Sequence, residues 1–380
     1  MASLGLYVHT PWCVSKCPYC DFNSHALSGE LPATEYVNAL VADLQAQAPF
    51  ADKRTVSSIF IGGGTPSLFP PDEIERVLLG ADEALDLSAD VEITMEANPG
   101  TIECGSLPGY RAAGVNRLSM GLQSLNDRCL KAIGRLHDAE TAKTAVQDAK
   151  AAGFENINVD LMYGLPTQSR QEALEDVRQA IALETVHLSH YQLTLEPNTV
   201  FYHSPPALPA DAEIADMLER CRQVLTDAGF VNYEVSAFAK AGQRCRHNLN
   251  YWRFGDYLAV GAGAHGKLTG QDGKVRRFHR PAHPRSYLAA CQSKAPFLES
   301  ASTLSDSDRV FEFFLNGLRL REGLKPAALG ELDPAAQELL DKGLRVARTR
   351  RLLESPDGLV FTPTELGFRF LNDLQALFLP

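Results

Sequence analysis

Six short apolar runs, each followed by an amphipathic stretch, fill the first half of this chain and recur roughly every 25 to 40 residues. They are residues 4–9, 56–61, 91–97, 117–121, 156–162 and 187–193. Between the first two, Tyr36, Val37, Leu40, Val41 and Leu44 mark one face of a helix, and residues 139–152 and 169–183 repeat that pattern most clearly. Pro71 suits the first turn of another helix. Strands separated by crossover helices pair in parallel. An open doubly wound sheet, or a full or partial barrel, would satisfy this order, and in either case ligands collect at the carboxyl ends of the strands. The 380 residues allow a barrel-sized domain of about 250 residues and a smaller one of about 100.

After residue 193 the pattern changes. Pro197 and the Ser204-Pro205-Pro206 stretch mark an irregular connection, followed by a helix near 212–228 and an irregular, aromatic and basic region to about residue 298. Residues 300–308 look like a linker. Ser305 and Asp308 form a capping-box pair before an apolar helix at 310–320, and Ser355-Pro356-Asp357-Gly358 marks a hairpin. The expected divisions are therefore 1–193, 194–299 and 300–380, the last a small, mainly helical, winged-helix-like domain.

The formal net charge of −11 argues against a broad nucleic-acid surface, although Arg244/Arg246 and Arg348/Arg350/Arg351 are local basic patches. No run approaches the ~18 apolar residues of a membrane span. The first residues lack the basic and long apolar regions of a signal peptide. The expectation is a cytoplasmic protein without a membrane span, with peripheral membrane contact left open.

Of eight cysteines, Cys13, Cys17 and Cys20 crowd into eight positions directly after the first strand, whereas Cys104, Cys129, Cys221, Cys245 and Cys291 stand singly. Such a cluster suggests metal or catalytic use rather than a disulfide framework. Three thiolates in C-x3-C-x2-C spacing can hold three irons of a [4Fe–4S] cube and leave the fourth open to a chelating ligand. A structural zinc with His9 or His25 as fourth ligand is the alternative. Downstream, Gly261-Ala-Gly263-Ala-His-Gly266 matches the dinucleotide fingerprint by letter. It precedes a poor helix start and lacks the later acidic residue, so it reads as close backbone packing.

Tyr7-x-His9-x-Pro11-x-Cys13-x3-Cys17-x-Tyr19-Cys20-x-Phe22 and Gly62-Gly63-Gly64-Thr65-Pro66-Ser67 are specific together, and Glu96-Ala-Asn98-Pro99 and Arg117-Leu-Ser-Met-Gly-Leu-Gln123 add to them. On these motifs the chain resembles the radical S-adenosylmethionine (SAM) superfamily, within the group that holds oxygen-independent coproporphyrinogen III oxidases and heme chaperones. The resemblance spans essentially the whole chain. It implies an α/β fold, a partial (β/α)6 barrel, with Cys13, Cys17 and Cys20 on a [4Fe–4S] cluster whose open iron chelates SAM. One electron from the cluster can then cleave SAM to an adenosyl radical. It also implies SAM contacts from Tyr7, Gly63, Gly64, Thr65, Glu96, Gln123, Arg135 and Asp160.

Two departures separate the chain from the oxidases: Phe22 stands where they carry a further cysteine, and only twelve residues precede Cys13. His247-Asn248-Leu249-Asn250-Tyr251-Trp252 matches the HNxxYW motif of heme chaperones. That resemblance implies heme contact by His247, Tyr251 and Trp252, with Arg244 and Arg246 available to propionates and Cys245 as an alternative iron ligand. The expected protein binds heme and delivers it to a haemoprotein acceptor, such as a respiratory-chain component, with a reductant protein supplying electrons. Coproporphyrinogen oxidation is the alternative activity.

Overall fold

The computed structural model describes residues 4–101, 106–293 and 297–380, so Cys104 lies outside the described residues. The expected strands form as β1 (Leu4–Thr10), β2 (Val56–Gly63), β3 (Leu87–Ala97), β4 (Arg117–Gln123), β5 (Asn156–Tyr163) and β6 (His187–Gln192). They lie side by side in chain order, all parallel. Helices Ala33–Gln47, Pro71–Ala84, Ala139–Ala151 and Arg170–Ala182 provide crossovers. Asp138 caps the third of these, and Ser169 and Glu172 form a full capping box on the fourth.

Alternation along each strand decides what faces what. Leu118, Met120 and Leu122 of β4, Ile157, Val159 and Leu161 of β5, and Leu4, Leu6 and Val8 of β1 pack in one core with Tyr36, Val37, Leu40 and Leu44 of the first helix. The intervening residues are polar or small, and they line the opposite face.

The region from 194 to 299 is more regular than its composition suggests. β7 (Val231–Asn232) and β8 (Ala237–Ala239) extend the sheet antiparallel beyond β6. At the other edge, β9 (Asp256–Val260) runs parallel to β1 and is followed antiparallel by β10 (His265–Thr269), β11 (Val275–His279) and β12 (Ser300–Thr303). The order among the described residues is β12-β11-β10-β9-β1-β2-β3-β4-β5-β6-β8-β7, an unclosed partial barrel. The linker expected at 300–308 is thus half edge strand. All four residues of β12 are exposed, so it pairs through its backbone and shows no apolar alternation. Gly261 and Gly263 pack as expected: a Cβ on them would come within 2.3 Å of the His9 carbonyl oxygen and 2.2 Å of the Asn23 amide.

Beyond β12, helices Asp306–Gly317 and Pro334–Thr349 and a two-stranded ribbon, Leu353–Glu354 with Thr362–Pro363, gather their own core around Val310, Phe314, Leu340 and Phe378. Ser305 accepts from the Asp308 N–H and donates to its carboxylate, which is half of the expected capping box. None of the described helices is long and apolar enough to cross a membrane.

Candidate functional site

The polar faces of the strands enclose a cavity of about 470 Å³, within the range of small-ligand pockets. Its walls follow the alternation: Arg117, Ser119, Gly121 and Gln123 from β4, Asn158 and Asp160 from β5, and His187, Ser189 and Tyr191 from β6. It is a trough along the strands, with the cysteine loop at their carboxyl ends.

That loop is held by the glycines. Gly64 N–H donates to the Thr10 carbonyl at 2.6 Å and Thr65 N–H to the Trp12 carbonyl at 2.8 Å. Gly63 adopts φ +113°, and a Cβ there would meet the His9 ring at 2.4 Å; one on Gly64 would meet the Trp12 carbonyl oxygen at 2.5 Å. Only glycine fits such positions. The close approach expected here is therefore first an approach of the chain to itself, which presses the cysteine segment against the end of β2. Cys13, Cys17 and Cys20 are free, half-buried and on the cavity wall. Arg135 Nη1 lies 3.7 Å from the Cys17 sulfur, and the Ser24 hydroxyl 3.7 Å from that of Cys20. Burial pushes the Cys13 and Cys20 thiols above their usual range.

Seven of the eight expected SAM residues line this cavity: Gly63, Gly64, Thr65, Glu96, Gln123, Arg135 and Asp160. Glu96 accepts from Gly63 N–H at 3.0 Å. Desolvation, and secondarily the charge of Asp160, push its carboxyl up to about 8. Asp160 is raised by burial too, opposed by its bonds from Asn158 (2.8 Å) and Ser119 (3.3 Å), which supply the partners a buried aspartate needs. Gln123 sits in the left-handed region at φ 68°, and its side-chain oxygen accepts from the Tyr191 hydroxyl at 2.7 Å. Tyr7 is set behind the wall, bonded through its hydroxyl to His9 Nδ1 at 2.9 Å.

The His247 segment forms helix Arg246–Trp252, and its histidine does not face the cavity. His247 is 1% exposed, with Nδ1 bonded to the Ser58 hydroxyl at 3.0 Å and Nε2 to the Tyr251 hydroxyl at 2.8 Å. Neither nitrogen is free for iron in this conformation, and burial holds the imidazole neutral down to about 3. Asn248 and Trp252, on another face of the same helix, do reach the cavity. Cys245 is buried with its thiol toward Glu92 at 3.6 Å. Arg244 and Arg246 point elsewhere, paired at the surface with Glu322 (3.1 Å) and Asp90 (2.9 Å).

Sequence reasoning passed over Arg117, Asn158, His187, Ser189, Tyr191 and Arg319 as wall residues. The signal was present for the strand residues. Polar side chains at every second position of otherwise apolar strands mark an inner polar face.

Residues 7–180 match the Radical SAM superfamily and residues 304–370 the HemN C-terminal domain. The chain is 47% identical to the heme chaperone HemW of Haemophilus influenzae, covering 99% of this chain and 98% of that protein. It is 48% identical, at the same coverage, to HemW of Escherichia coli. The chain belongs to the HemW group of radical SAM proteins. Its fold is also that of the radical SAM coproporphyrinogen III oxidase (HemN) from Escherichia coli, with a TM-score of 0.83 at 23% identity over 99% of this chain and 90% of that one.

Membership in the HemW group implies a [4Fe–4S] cluster and SAM, and the residues fit both. Three free thiols line one space, with the orphaned Arg135 Nε buried on the same wall. Among the described residues no three His, Cys, Asp or Glu side chains converge on one metal position, as a lone zinc requires. Of the zinc alternative's further ligands, His9 is bonded to Tyr7 and to the Asn23 carbonyl, while His25, its Nε2 unpartnered, lies against His283 in a separate space from the one the three thiols line.

Proposed function

We propose that this chain is a heme chaperone, binding heme and passing it unaltered to a haemoprotein acceptor. Full-length identity of 47% to a heme chaperone carries the reading. Likeness to the coproporphyrinogen oxidase, at 23%, extends to fold alone. Phe22, 60% exposed at the cavity, supplies no further thiol.

In this reading Cys13, Cys17 and Cys20 hold the cluster. Gly63, Gly64, Thr65, Glu96, Gln123, Arg135 and Asp160 bind SAM, and Tyr7 positions His9 behind the glycine loop. When bound, the two groups supply one-electron reductive chemistry. The protein's own part is positioning. Glu96, largely protonated at neutral pH, can donate to as well as accept from a ligand hydroxyl. The Arg135 guanidinium faces the Cys17 sulfur, where it opposes the negative charge of thiolate ligation. Trp252 and Asn248 are the heme-motif residues placed to meet a ligand in the trough, while His247 and Tyr251 hold their helix. The protein works in the cytoplasm, drawing electrons from a reductant protein and serving acceptors that include respiratory-chain components.

Anaerobic reconstitution followed by heme titration tests this. Stoichiometric heme uptake and transfer to an apo-haemoprotein, with no tetrapyrrole change, is expected. Conversion of coproporphyrinogen III to protoporphyrinogen IX would replace the reading with the oxidase.

A further inference from the structure

The trough has a second end. Arg117 opens β4 and Gln123 closes it, so the two are separated along the strand by about 20 Å. Arg117 is 2% exposed, yet its Nε has no hydrogen-bond partner and no carboxylate lies within ion-pair distance among the described residues. A buried guanidinium ordinarily has such a partner.

The two nearest acids are used otherwise. Glu92 accepts from the backbone N–H of Arg246 at 2.9 Å and of His247 at 3.3 Å, and Asp160 accepts from Asn158 and Ser119. His187 is saturated too, by Asn158 (2.6 Å) and Tyr233 (2.8 Å).

Two further orphaned donors share this cavity. Arg319 Nε and Trp252 Nε1 are buried without acceptors. The Arg319 guanidinium lies 4.2 Å over the Trp252 ring and pairs with the buried Glu234 carboxylate through Nη2 at 3.3 Å, which leaves Nε without a partner. Asn248, one turn before Trp252, lines the same space. The orphaned atoms of Arg117, Arg319 and Trp252 are all donors. Buried donor atoms left unpartnered match a ligand that brings acceptors and no protons, and a planar fork matches a carboxylate.

We propose that Arg117 and Arg319, with Trp252 and Asn248, form a carboxylate-binding site at the amino-terminal end of the trough. Resting on the heme-chaperone reading, the carboxylate is a heme propionate. The surface arginines Arg244 and Arg246 pair with Glu322 and Asp90 off the cavity wall and do not take that role.

The test uses the full chain with its cluster reconstituted anaerobically. Affinities for hemin, hemin dimethyl ester and SAM are measured for wild type, Arg117→Gln, Arg117→Lys and Arg319→Gln. Wild type should prefer hemin over its diester by at least tenfold. Arg117→Gln and Arg319→Gln should each erase that preference and leave SAM binding unchanged, while Arg117→Lys retains part of it. Equal binding of hemin and diester by wild type would overturn the site, as would a preference that survives both glutamine substitutions. Weakened SAM with unchanged hemin would reassign the carboxylate to the methionyl group and overturn the propionate. If wild type takes up neither tetrapyrrole, the heme reading fails as well, which distinguishes the two failures. Iron content and the circular dichroism spectrum report whether Arg117→Gln has folded; if it has not, Arg319→Gln decides.

Discussion

The cysteine loop and the His247 helix are both short, dense motifs, and the fold uses them in opposite ways. On the loop, all three thiols reach the cavity, because an irregular segment pinned by Gly63 and Gly64 can aim each side chain inward. On the helix, geometry divides the residues by face. His247 bonds Ser58 through one ring nitrogen and Tyr251, one turn on, through the other, while Asn248 and Trp252, also one turn apart, reach the trough. A motif on a loop can present every member to one ligand. A motif on a buried helix presents one face and spends the other on packing.

The sharpest way to break this comparison is to remove a thiol. Cys13→Ala, Cys17→Ala and Cys20→Ala should each lose iron and sulfide to near background after reconstitution, with an unchanged circular dichroism spectrum. Full cluster content in any of them would remove that residue from the ligand set.

His247→Ala should behave in the opposite manner. It leaves Ser58 and Tyr251 without their partner in a fully buried site, so a loss of about 3 kcal/mol in folding stability is expected from chemical denaturation. Hemin stoichiometry of the folded fraction should persist. Heme loss at unchanged stability would restore His247 as a ligand and erase the distinction between the two motifs.

How much was legible follows from the same geometry. The six parallel strands could be read because each carries an apolar outer face, and the grouping of the three cysteines because their spacing is local. β12 could not be read, since Ser300–Thr303 pairs through backbone alone. Nor could the direction of His247, which depends on how helix Arg246–Trp252 docks through its N-terminal N–H groups on Glu92. Arg319 comes from beyond residue 300 and enters the cavity only through tertiary folding.

At the carboxyl end of the trough, pH sharpens the contrast between a wall built for a ligand and one built for packing. The folded Glu96 carboxyl, near 8, lies above its unfolded value of about 4.3. Between those values the folded protein keeps a proton that the unfolded chain releases, so stability falls as pH rises. Glu96→Gln removes this titration. The cofactor-free variant should gain melting temperature over wild type on going from pH 5 to pH 8, with little difference at pH 5. A difference independent of pH would place Glu96 in solvent.

The smallest effect belongs to Arg246→Gln. Its guanidinium pairs with Asp90 at side-chain exposures of 50% and 72%, where solvent screening removes most of an ion pair's worth. The part of residue 246 that matters to the fold is its backbone N–H on Glu92, and the substitution leaves it in place. Thermal unfolding and hemin affinity should both match wild type. A tenfold loss of hemin affinity here would mean that propionates are met at the surface by the helix's outer face. The cavity-facing residues of that helix would then serve the fold, and the division drawn between its faces would have to be reversed.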